Sequence, residues 1–176
     1  KDLADQAIRM ISDQKSANPS KPWFMWYCPG ANHAPHQAPA DYIAKYKGKF
    51  DDGWDAYRER VYKRAIEKGW IPKNTKLTPR PASLASWESI PESERPFQRR
   101  LMEVWAGFTE HADYHAGRVI DEIEQQGELD NTLIFYIWGD NGSSSEGLNG
   151  TISEQLAQNG IPTTITQHID ALNEFG

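Results

Sequence analysis

One cysteine in 176 residues, no long apolar run and no block of basic residues set the first boundaries. Cys28 by itself closes no internal disulfide, and it is too few for a cysteine-rich structural zinc site. The longest apolar stretches, 23–28 and 133–138, fall far short of the ~18–20 residues of a membrane-crossing helix, so no membrane partner is expected. With 19 basic against 25 acidic residues the net charge is −6, and no nucleic-acid partner is expected either. No internal repeat or low-complexity segment is present. Lys1-Asp2 reads as the inside of a helix, which predicts no signal peptide and makes the chain look like a piece of something longer.

What is present suffices for a core. Hydrophobic residues make up 38% of the chain and include seven tryptophans, at a length typical of about one domain (~100–200 residues). Leu3, Ala7, Ile8 and Ile11 recur at helical spacing and predict a helix over 2–15, broken by 16–20 with Asn18 and Pro19. Trp23 to Cys28 is a continuous apolar run, as a strand buried on both faces needs. It ends in Pro29-Gly30, and the prolines of 33–39 make that stretch a loop. A charged amphipathic helix is predicted over 52–68, and proline-rich surface loop over 70–90. A long helix follows from Glu92 to about Gln126, with a stripe of Leu101, Val104, Trp105, Phe108, Ala112, His115, Val119 and Ile123. Leu133 to Trp138 is the second apolar run, and it ends in Gly139-Asp140-Asn141-Gly142. A short helix is expected at 151–158 and a last turn or helix at 167–174.

This alternation predicts an α/β fold with a mainly parallel sheet and helices on both faces. Two central strands leave their outer edges unpaired, which again points to a larger domain.

In open parallel sheets ligands bind beyond the carboxyl ends of the strands. Asn32, His33 and His36 follow the first run, Asp140 and Asn141 the second. Adjacent Asp and Asn offer hard oxygen ligands for Ca²⁺ or Mg²⁺, or else are ordinary turn residues; a place after a buried strand favours the metal. His33 and His36 lack further ligands for zinc, while one histidine on a proline-stiffened loop suits acid–base work. An exposed loop histidine is the plain alternative. His111 and His115 share a helix face, and His115 falls in the apolar stripe, so a hydrogen-bonded core or interface role is expected. Cys28 reads as a small buried filler.

The run 22–27 leading into His33-Ala34-Pro35-His36-Gln37-Ala38-Pro39 resembles the mid-section of type I sulfatases, especially bacterial arylsulfatases. Residues 46–55, Gly139-Asp140-Asn141-Gly142 and Gly147-Leu148-Asn149-Gly150-Thr151 continue the likeness in matching order. The resemblance implies an alkaline-phosphatase-like α/β sandwich and a small-molecule sulfate ester, an aryl sulfate in the first instance, as substrate. It implies Asp140 and Asn141 as half of a divalent-cation site, Ca²⁺ ahead of Mg²⁺. His33 would be the active-site histidine on the leaving-group side, and His36 a loop or pocket-wall residue. A bacterial cytoplasmic or periplasmic enzyme fits equally.

The departures carry weight. The family's formylglycine arises in a Cys-x-Pro-x-Arg type motif, which Cys28-Pro29-Gly30-Ala31-Asn32 does not match, so no nucleophile is expected within this chain. The paired aspartates of the first strand and the lysine beyond Asn141 are also absent, and Asp51-Asp52 stands in the wrong place to replace them. Residues 1–176 are thus expected to be an internal segment of one sulfatase catalytic domain, inactive by itself. The alternatives are a phosphomonoester, phosphodiester or phosphonate hydrolase of the same superfamily, and a non-catalytic α/β interaction module.

Overall fold

The computed structural model describes residues 1–139 and 153–174. Its helices are α1 (Asp2–Ala17), α2 (Ala40–Ala44), α3 (Gly53–Glu67), α4 (Arg95–Gln125), α5 (Ser153–Gln158) and α6 (Ile165–Asp170). Short 3₁₀ turns stand at Trp87–Ser89, Leu129–Asn131 and Leu172–Glu174.

The spine is α4, whose 31 residues span about 46 Å at the usual 1.5 Å rise. Pro96 sits in its first turn, where the missing N–H costs no intrahelical bond. Phe97, Val104, Gly107, His115, Val119 and Ile123 are buried along it, the expected stripe extended one turn upstream. Glu103 is buried in the same stripe and is satisfied by the Gly48 N–H at 2.8 Å and by Arg100 at 3.5 Å. A buried carboxylate persists only with such partners.

Acidic Asp2 and Asp5 open α1 and Lys15 closes it, matching the helix dipole. Its buried face, Ala4, Ala7 and Ile11, packs on Val119 and Ile123. Polar contacts along this seam advance in step on both helices. Arg118 meets Asp5 at 2.7 Å, the Ser12 hydroxyl donates to Glu122 at 2.5 Å, and Lys15 pairs with Glu128. The two helices therefore run parallel. Across another part of α4 lies α2, close enough that a Cβ on Gly107 would come within 2.9 Å of the Ile43 backbone. Glycine at 107 is what admits α2.

The loop from 70 to 90 wraps α3, held by Tyr62 Oη to the Thr75 carbonyl at 2.6 Å and Arg58 to the Thr78 carbonyl at 2.7 Å. Trp87 packs edge-on against Trp54 with ring centroids 4.9 Å apart, and its N–H donates to Asp55 at 2.8 Å.

The sheet expected from the two apolar runs is not formed: among the described residues every regular element is helical. Trp23–Cys28 and Leu133–Trp138 are without regular structure, and their directions follow from their contacts. A groove of ≈ 320 Å³ joins residues 23–26 to Met10, Ile11 and Gln14, whereas Tyr27 and Pro29 share a second cleft with Lys1 and Leu3. The first segment thus returns antiparallel to α1. The second returns antiparallel to α4, since Tyr136 Oη reaches back to Asp113 at 2.9 Å. With α1 and α4 parallel, the two segments share one direction.

Exposure alternates along them. Met25 and Tyr27 pack toward the helices, while Phe24 and Trp26 are 88% and 79% exposed; Leu133 and Ile137 are likewise open at 80% and 88%. Period-two alternation is the signature of a pleated strand with one face covered. A ladder needs a hydrogen-bonded neighbour, and two segments with an open outer face supply too little to pair with. Among the described residues, the helices pack on Met25 and Tyr27 of the first segment. Cys28 falls on the open side and is exposed rather than the buried filler its sequence context predicts.

Candidate active site

Where the first segment ends, a cleft of ≈ 530 Å³ opens between the 29–37 loop and the middle of α4. His33 stands on the loop side; Phe108, His111, Ala112 and His115 form the α4 side. The loop is tied by the His33 N–H to the Gly30 carbonyl at 3.0 Å, and its Ala31–Asn32 and Ala34–Pro35 peptides are cis. His33 Nδ1 lies 2.7 Å from the Ala34 carbonyl. A carbonyl only accepts, so Nδ1 carries the proton of the neutral ring and Nε2 is its basic nitrogen. The ring is exposed, as an acid–base group needs to be.

His36 faces away from this cleft. Its Nε2 is 3.2 Å from the Asn32 carbonyl and its ring meets Phe108 edge-on at 6.5 Å. Burial pulls its pKa down from 6.5, against the opposing effect of the Asn32 carbonyl. Asp140 and Asn141, the expected metal ligands, lie outside the described residues. Among the described residues, no group of three or more His, Cys, Asp or Glu side chains is arranged to hold a metal ion.

His115 is buried and hydrogen-bonded, as its place in the stripe predicts. Its Nδ1 is 3.0 Å from Arg118 and its Nε2 3.0 Å from His111 Nε2. Both histidines line the cleft, and His111 is the more open of the two, half-buried. The geometry follows from the spacing: one turn separates the two rings, and Tyr42 of α2 closes on His111 edge-on at 5.0 Å. The second apolar segment reaches the same level of α4, because Asp113, the anchor of Tyr136, lies between the two histidines. Both segments therefore carry their carboxyl ends to the same level of α4.

Sequence reading also passed over His168. It is buried with Ser153, whose Oγ lies 2.8 Å from its Nε2 while Thr163 donates to Ser153 at 3.0 Å. Its ring stacks on Phe97 at 5.3 Å. Ser153 is 1% exposed, too enclosed for a nucleophile, so the pair fastens α5 and α6 to α4. The legible signal was the capping box of Thr164 and Gln167, which starts α6.

Burial lowers the pKa of His111, His115 and His168 as well as His36. Each binds its proton more readily unfolded, so their contribution to stability is complete above about pH 6.5 and falls as pH drops through that value toward the folded pKa. The melting temperature is expected to fall between about pH 8 and about pH 5, before carboxylates begin to titrate. Thermal unfolding across that range checks this, and His168→Gln should flatten the slope.

A family model described as Sulfatase matches residues 1–171. An uncharacterized sulfatase of Schizosaccharomyces pombe is 34% identical over 153 residues, covering 85% of this chain and 26% of the relative. An arylsulfatase of Klebsiella aerogenes is 30% identical over 139 residues, covering 78% of this chain and 29% of that protein. The chain thus spans between a quarter and a third of the length of these relatives.

Proposed function

Because this chain belongs to the sulfatase family, we propose that residues 1–176 are an internal segment of one catalytic domain, and that the whole protein hydrolyses sulfate esters, aryl sulfates first among them. The family's fold is the alkaline-phosphatase-like sandwich. The parallel course of the two apolar segments beneath parallel α1 and α4 supports a mainly parallel sheet in the complete domain.

The observation that carries the reading is His33, exposed at the rim of the cleft with Nδ1 donating to the Ala34 carbonyl, so that Nε2 is the acid–base atom of the ring. In the protonated state that nitrogen donates to the departing oxygen of the ester as the S–O bond breaks; in the neutral state it accepts a proton from water in the next step. Breaking that S–O bond expels an alkoxide or phenolate, so a proton delivered there lowers the barrier most for poor leaving groups. The cleft walls of Phe108 and Ala112 hold the organic part of the ester.

Family members are generally metal-dependent and use formylglycine. Asp140 and Asn141 are hard oxygen donors and suit Ca²⁺ better than Mg²⁺, which demands stricter octahedral geometry. Such a cation supplies positive charge to the sulfate oxygens. The formylglycine supplies the nucleophile, and no Cys-x-Pro-x-Arg sequence to form it occurs in these 176 residues.

The test is turnover of 4-nitrophenyl sulfate by the full-length protein, with nitrophenol and sulfate released in equal amounts. Ca²⁺ is expected to raise the melting temperature of that protein, as a ligand selective for the folded state must, and Asp140→Ala to remove both effects. The 176-residue chain alone is expected to turn over nothing. Cleavage of 4-nitrophenyl phosphate in preference to the sulfate would replace this reading with a phosphate-ester one.

A further inference from the structure

The cleft contains a second polar group whose chemistry is fixed by its neighbours. Arg118 can only donate, so the His115 Nδ1 that it meets at 3.0 Å is unprotonated. The ring proton of His115 is then on Nε2, which points at His111 Nε2 at 3.0 Å. His111 accepts that bond, and its own proton is forced onto Nδ1. Arg118 is itself held by Asp5 at 2.7 Å, so the relay starts from the packed seam between α1 and α4. Reversing it would set the Nδ1–H of His115 against a guanidinium N–H, donor against donor.

The result is a histidine on the cleft wall that presents an N–H and cannot turn into an acceptor. Its Nδ1 has no hydrogen-bond partner among the described residues, and His111 lines the cleft opposite the His33 loop. Burial favours the neutral ring at His111 and His115, which keeps the relay intact near neutral pH. Lys1 and Gln37 also line the cleft, and between them Pro29, Pro35, Phe108 and Ala112 give an apolar surface that suits a flat organic body.

We infer that His111 is a specificity-determining residue of this cleft, donating its Nδ1–H to an acceptor oxygen carried by an aromatic leaving group in addition to the ester oxygen that His33 serves. This rests on the sulfatase reading above. The preferred substrates are then sulfate esters of phenols bearing a carbonyl, carboxylate or hydroxyl oxygen. Arg118 and His115 are positioning residues, acting through the tautomer of His111.

The experiment uses the full-length protein with phenyl sulfate and the three acetylphenyl sulfates. The preference in kcat/KM for the best acetylphenyl ester over phenyl sulfate is expected to shrink about tenfold in His111→Ala, as for one lost hydrogen bond, mainly through KM. Arg118→Met is expected to shrink it in the same direction, and Arg118→Lys, which keeps a donor at His115, to restore it. Independently of activity, ¹⁵N spectra of the histidine rings should show His111 as the Nδ1–H tautomer and His115 as Nε2–H, with Arg118→Met releasing both. Equal losses on all four esters, or an Nε2–H tautomer at His111, would overturn the inference while leaving the sulfatase reading in place. No turnover of any sulfate ester by the wild-type protein would overturn the sulfatase reading and this substrate class with it, while the ring spectra would still decide whether the donor exists.

Discussion

In the full-length protein, His33→Ala is expected to lower kcat on phenyl sulfate by ~10²–10⁴, the usual worth of one positioned acid–base group. The loss should shrink on 4-nitrophenyl sulfate, whose leaving oxygen needs less protonation. That dependence on the leaving group separates proton donation from mere cleft-lining, which would affect both esters alike. The fold should survive, because the ring is exposed on a loop anchored by backbone and prolines, and substitutions at such positions usually stay within ~0.5 kcal/mol. A flat response across leaving groups would assign His33 to binding and leave the acid to another residue.

Gly53→Ala is expected to produce the largest loss of stability of any single methyl addition considered in this chain. Gly53 begins α3 at φ +78°, where an L-residue is strained, and a Cβ there would lie 2.1 Å from Trp87 Cδ2. The tryptophan cannot step aside cheaply. Its backbone N–H is bonded to Asp55, its ring packs on Trp54, and it is 8% exposed. Strain and overlap together should cost roughly 3 kcal/mol or more. Gly69→Ala is the control, since Gly69 has φ +71° and nothing within 4 Å of its Cβ position; only the backbone part, about 1 kcal/mol, should appear. Urea midpoints of the two variants separate the terms, and equal midpoints would show that the Trp87 contact yields.

The helices were the legible part of the fold. Ala7, Ile11, Val104, Val119 and Ile123 all follow a 3.6-residue period and all are buried, because a helix needs one apolar stripe and nothing more. Residues 40–44 escaped that test: α2 is barely one turn, and its position depends on the gap left by Gly107, a contact across more than 60 residues of chain. The two apolar runs predict strands and form none among the described residues, because strand pairing depends on a hydrogen-bonded neighbour that no single segment supplies. Cys28 shows the same limit, since an apolar context does not say which face of the segment is covered. At the cleft, the loop that carries His33 was readable from its prolines. The place of His111 on the opposite wall was not, because it depends on how α4 packs against that loop.

The pairing of α1 with α4 has a kinetic side. Ser12 and Glu122 meet across 110 residues, and Lys15 and Glu128 across 113. Closing a loop of that length costs on the order of 4 kcal/mol in chain entropy before any contact repays it. On a ribosome adding ~5–20 residues per second, α1 emerges roughly 5–20 s before the helix that will cover Ala4, Ala7 and Ile11. During that interval its apolar face is open to chaperones and to other nascent chains, so the yield of folded protein should be governed by how fast synthesis passes residue 125.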